Sequence, residues 1–124
     1  MISQPNLEQV KKIVSKVYPK AQVLDFQKSV LGNINWVYFV KLKNPDKKIV
    51  LKIVWRKDRE EDEILNKKAK IIKMLNYHKV KGVPELINFD YSKKEAPFVY
   101  LLESFLTGEP LIECYKKMKI EDLN

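Results

Sequence analysis

The sequence predicts an α+β fold: a five-stranded antiparallel sheet with one long covering helix, an N-terminal helix and a C-terminal helix. Three observations predict it. Trp36, Tyr38, Val40 and Leu42 alternate with Val37, Phe39 and Lys41 across residues 35–42, the period of a strand with two unlike faces. Residues 49–55 form a strongly β-branched run. From about residue 58 to 78 the apolar positions return at helical spacing instead.

The elements follow in chain order. Leu7, Val10, Ile13, Val14 and Val17 lie on one helical face, Asn6 is placed to cap it after Pro5, and Pro19 ends it. Residues 22–31 read as a less regular strand. Asn44-Pro45-Asp46 is turn chemistry between the two better strands. In the long helix Ile64, Leu65, Ile71, Ile72 and Leu75 mark a stripe, and the acidic block at 58–63 sits at its positive end. A Gly/Pro-containing connection at 80–84 leads to two short strands, 85–91 and 98–103, around a polar turn at 92–97. Residues 104–110 read as a linker, and Leu111, Ile112, Tyr115 and Met118 mark a last amphipathic helix. A meander and a hairpin separated by one long helix imply an antiparallel sheet covered on one face.

Composition bounds the function. The 124 residues suffice for one domain with a modest core. No apolar stretch approaches the ~20 residues that cross a bilayer, and the N-terminus lacks the basic-then-apolar order of a secretory signal. Cys114 is the single cysteine, so no internal disulfide forms, in keeping with a reducing cytoplasm. No membrane contact is expected. A net charge of +8 permits nucleic-acid binding. Lysines interleave with acids in most segments, however, and no aromatic-and-basic stacking pattern stands out, so nucleic acid is disfavoured. His78 is the only histidine, which excludes a multi-histidine metal site and argues against a histidine-based triad. Cys114 reads as a helix-face thiol.

Three segments carry candidate chemistry. Leu31-Gly32-Asn33-Ile34-Asn35 joins two strands, and small residues there let backbone N–H groups approach an anion. A Gly-Asn pair between strands also makes an ordinary hairpin. Lys52 stands within Val50-Leu51-Lys52-Ile53-Val54, where a lysine either faces solvent on alternate positions or serves a site. Residues 100–111, Tyr-Leu-Leu-Glu-Ser-Phe-Leu-Thr-Gly-Glu-Pro-Leu, run from an apolar strand into a Gly-Pro loop.

In this order and spacing the three segments resemble the amino-terminal lobe of the aminoglycoside phosphotransferase/choline kinase family, which is protein kinase-like. The resemblance covers residues ~25–123 and implies a kinase-like nucleotide-binding lobe at 1–107. Residues 108–124 would then be the hinge exit and the start of a second lobe. Gly32 and Asn35, with Tyr38 after them, match the family's cover over the phosphates. Lys52 matches the strand lysine that contacts the α- and β-phosphates. Backbone around Glu103 and Phe105 would meet adenine, with Leu31 and Val50 as apolar walls.

The family pairs its lysine with a helix glutamate, and here Lys68 falls at that position, between Ile64 and Ile72, with its head expected towards the sheet or its rim. Glu61 is the substitute candidate; Glu63 lies off the stripe. The family's His-Gly-Asp catalytic loop and metal-binding residues have no counterpart in the 124 residues. The resemblance therefore implies the ATP-binding lobe of a small-molecule phosphotransferase, inactive alone, with an incomplete ATP site that takes magnesium only if a second lobe is supplied. A non-catalytic binding or interaction domain derived from that lobe is the alternative. The stripe Leu111, Ile112, Tyr115 and Met118 implies self-association or a companion chain bearing the second lobe. The acceptor substrate is not legible.

Overall fold

A computed structural model describes residues 4–29, 36–54 and 59–106. The elements are α1 (Leu7–Val17), β1 (Gln22–Lys28), β2 (Trp36–Lys43), β3 (Lys47–Ile53), α2 (Arg59–Tyr77), β4 (Leu86–Asp90) and β5 (Tyr100–Ser104). The expected α+β architecture with a five-stranded antiparallel sheet is present, in the order β1-β2-β3-β5-β4. The expected C-terminal helix and the Gly32–Asn35 turn lie outside the described residues.

Local sequence explains the element ends. Asn6 and Gln9 form a reciprocal capping box: the Asn6 side chain accepts from the Gln9 N–H at 2.9 Å, and Gln9 Oε1 accepts from the Asn6 N–H at 3.0 Å. At the far end of α2 the chain leaves the helix through Lys79, whose φ is +55°. The Val80 N–H donates to the Leu75 carbonyl and the Lys79 N–H to that of Asn76, which is the Schellman arrangement with lysine where glycine is usual.

The sheet is covered on both faces, not one. On the first face α1 presses Val10, Ile13 and Val14 onto Tyr38, Val40, Leu42, Ile49, Leu51, Ile53, Tyr100 and Leu102. The alternation read for residues 35–42 holds: Tyr38, Val40 and Leu42 are buried and Phe39 is exposed. On the second face α2 packs Leu65 and Ala69 onto Val54, Val99 and Leu101, with Ile72, Leu86 and Phe89 half-buried around them. The central strands β3 and β5 carry apolar residues on both sides, so each helix has a surface to bury. Each large side chain removed from water contributes about 1.5–3 kcal/mol before chain entropy is counted.

The face that α2 buries differs from the stripe expected of it. Asp62, Leu65 and Ala69 are buried, whereas Ile64 and Ile71 are 38% and 53% exposed. The small Ala69 lets the helix approach the sheet, and Asp62 is tolerated there because Lys93 reaches it at 3.1 Å. Lys68 is exposed, on the flank of the buried line that runs through 62, 65, 69 and 72.

Candidate functional site

Residues directly opposite in neighbouring strands project to the same side. Val37 faces Lys52 and Phe39 faces Val50 across β2 and β3, while Lys52 faces Leu101 and Val50 faces Glu103 across β3 and β5. All six share the face that α2 occupies. Among the strands α2 packs mainly on β4 and β5. Over β2, β3 and the end of β5 the described residues place no helix, and a strip remains with Val37, Phe39, Lys52 and Phe105 along it.

The strip has an apolar end and a charged one. Phe39 and Phe105 meet edge to face with ring centroids 5.8 Å apart, and both rings remain more than a third exposed. The Lys48 ammonium stands 5.7 Å from the Phe105 centroid. Beside them Val50 is buried.

Lys52 forms the charged end. Its Nζ lies 2.8 Å from Oε1 of Glu103; the lysine side chain is 21% exposed and the glutamate side chain 4%. Two residues singled out separately in the sequence are thus one ion pair, diagonal across β3 and β5. The second carboxylate oxygen of Glu103 is buried and accepts no hydrogen bond from any described residue. An acceptor in that state has spare capacity for a donor, from water or from a ligand N–H.

Glu61, the candidate partner of Lys52, is half-buried in the first turn of α2. The structure does not bring it within ion-pair distance of Lys52, and its Oε2 is likewise buried without a hydrogen bond among the described residues. Phe105 leaves β5 with its N–H donating to the Lys48 carbonyl at 3.4 Å, so its backbone is partly engaged in the sheet. Gly32 and Asn35 fall outside the described residues. Among the described residues no group of three or more His, Cys, Asp or Glu is arranged to hold a metal.

A second polar cluster, unnoticed in the sequence, ties both helices to the turn after β4. Asp90 accepts from the Ser92 N–H at 2.7 Å and its hydroxyl at 2.6 Å, and Lys16 of α1 approaches within 3.8 Å. Burial pushes the Asp90 carboxyl up, but the Ser92 bonds and Lys16 outweigh it and hold the group below its ordinary value. Beside it the Tyr100 hydroxyl is pushed up to about 12 by burial and by the negative Asp90 and Glu95. On the other side Lys93 meets Asp62, and Tyr91 donates to Glu63 of α2. Asp90-Tyr91-Ser92 is a legible turn-former; its reach to two helices depends on the tertiary fold. The cluster is saturated by its own partners and reads as structural.

No protein-family model matches the chain, and no curated protein matches it.

Proposed function

We propose that this chain is the ATP-binding lobe of a small-molecule phosphotransferase, with the nucleotide phosphates at Lys52 and the adenine towards Phe105. The observation that carries this reading is the position of Lys52: one residue from the end of β3, a fifth exposed, on the part of the sheet face that α2 leaves uncovered. An ammonium there offsets phosphate charge in a partly desolvated setting, and the exposed Phe39–Phe105 pair offers apolar ring surface for a base. The ordered succession of Gly32, Asn35, Lys52, Glu103 and Phe105 supports it from the sequence.

A second reading, a binding or interaction domain without catalysis, is favoured by one specific feature. Glu103 already neutralises Lys52, so a phosphate must compete with a buried carboxylate 2.8 Å away. Calorimetric titration with ATP, with and without magnesium, separates the two. The nucleotide reading expects weak, nearly magnesium-independent binding that Lys52→Ala abolishes and Glu103→Gln tightens. Absence of binding in both the parent chain and Glu103→Gln overturns it. Self-association or a companion second-lobe chain through Leu111, Ile112, Tyr115 and Met118 belongs to the same proposal. Light scattering across a concentration series, compared with a chain ending at Thr107, tests that part.

A further inference from the structure

The second half of α2 and the turn after it carry a charge pattern that the nucleotide reading does not use. From Ile64 to Pro84 there are six lysines and no acid. All six, Lys67, Lys68, Lys70, Lys73, Lys79 and Lys81, are exposed. The apolar residues among them are exposed too: Ile71 is 53%, Met74 54%, Tyr77 82% and Val80 45% accessible. This is not a scatter. Leu65, Ala69 and Ile72 turn one side of α2 to the sheet. At about 100° per residue, Lys67, Lys70, Ile71, Met74 and Tyr77 fall together in the opposite sector. Val80 follows between Lys79 and Lys81 in the exposed turn.

We propose that this outward face of α2, with the turn after it, docks on an anionic lipid surface. The expectation of no membrane contact rested on the lack of a spanning segment, and a helix lying at the interface needs none. Three observations favour lipid over other polyanions. The face is a single convex helix ridge, so diffuse charge attraction serves it better than recognition of one fixed acidic segment. Nucleic-acid phosphates would match the lysines but gain nothing from Ile71, Met74 and Tyr77 at the centre. A headgroup layer accepts both: lysine stems lie along the surface with their ammonium groups in the polar zone, and the tyrosine ring suits the boundary. Glu60 and Glu63 at the acidic start of α2 fall in the same outward sector and restrict contact to the C-terminal half.

The test is flotation of the full chain with phosphatidylcholine vesicles and with vesicles that also contain phosphatidylserine. Binding is expected only with the anionic vesicles, and it weakens as salt is raised. Lys67→Gln, Lys70→Gln and Lys73→Gln together lower partitioning about a hundredfold, at roughly fivefold per lysine near the surface. Met74→Ser with Tyr77→Ser lowers it about tenfold or more with the charge unchanged. Ile71→Ser with Val80→Ser is a second apolar pair for the same readout, and all these positions are exposed, so the melting transition should persist in each variant. Failure to bind phosphatidylserine vesicles overturns the proposal. So does full binding by both apolar pairs, which would reassign the face to general polyanion attraction such as a nucleic-acid backbone. Binding to poly-glutamate but not to vesicles would reassign it to an acidic protein and equally overturn the proposal.

Discussion

Lys52 and Glu103 form an ion pair at 2.8 Å, one strand apart and two residues out of register, with the carboxylate almost wholly buried. Breaking such a pair from one side strands a buried charge, whereas removing both charges need not cost stability. Lys52→Met is therefore expected to destabilise the fold by about 3 kcal/mol. Lys52→Met with Glu103→Leu should return to within about 1 kcal/mol of the parent. Urea unfolding of the four proteins of the cycle measures this. Equal losses in the single and double variants would show that the carboxylate is not the cost.

Lys68 gives a contrasting case. It is exposed on the flank of α2, and Lys52 already has its carboxylate. Lys68→Glu should change stability by no more than about 0.5 kcal/mol. The change should be the same in the parent and in Lys52→Met. A salt-sensitive gain confined to the parent would mean that the two positions meet.

Alkaline stability should depend on Tyr100. Its folded-state value is raised to about 12 from an ordinary 10.0. Below pH 10 the hydroxyl is protonated in both folded and unfolded chains, and the contribution is complete. As pH rises from 10 towards 12 the unfolded chain ionises first, and up to about 2–3 kcal/mol is lost. Tyr38, raised in the same direction by burial, adds to the loss. Tyr100→Phe should flatten the fall in this window, read as the pH dependence of the unfolding free energy. An unchanged slope contradicts the assignment.

Lys79 occupies the left-handed position that ends α2, with φ +55° and no glycine to relieve it. Lys79→Gly should stabilise the isolated chain by about 1 kcal/mol, the usual cost of a side chain in that conformation. Thermal unfolding checks this. A destabilised variant would indicate that the lysine side chain makes a contact outweighing the backbone cost.

What the sequence made legible was mostly local. The Asn6 cap, the alternation of β2 and the β-branched β3 depend on neighbours a few residues away, and each is present in the structure. The faces of α2 were less legible, because apolarity alone assigns Ile64 and Ile71 inward and Asp62 outward. Packing reverses all three through a small Ala69 and a lysine, Lys93, contributed from a distant turn. The second helix-bearing face was missed for a related reason: period-2 alternation fades in β3 and β5, which are buried on both sides. Lys52 and Glu103 were each visible as unusual residues in apolar strands. Their pairing was not, since it requires β5 to lie beside β3 although α2 and β4 come between them in sequence. Asn76 was hidden likewise: its side chain accepts from the Leu86 N–H at 2.7 Å and donates to the Pro84 carbonyl at 3.0 Å, tying the end of α2 to the start of β4.

The strand order has a consequence for synthesis. β3 takes β5, not β4, as its second neighbour, so the middle of the sheet is closed by the latest of the five strands to be made. A growing chain that has already assembled β1, β2 and β3 therefore presents an open, strongly apolar edge on β3 while α2, β4 and the turn at 91–99 emerge. That interval is when strand-to-strand capture by another nascent copy competes with correct folding. Lys47, Lys48 and Lys52 put charge along that edge, and charged side chains discourage such pairing until Tyr100–Ser104 arrives to occupy it.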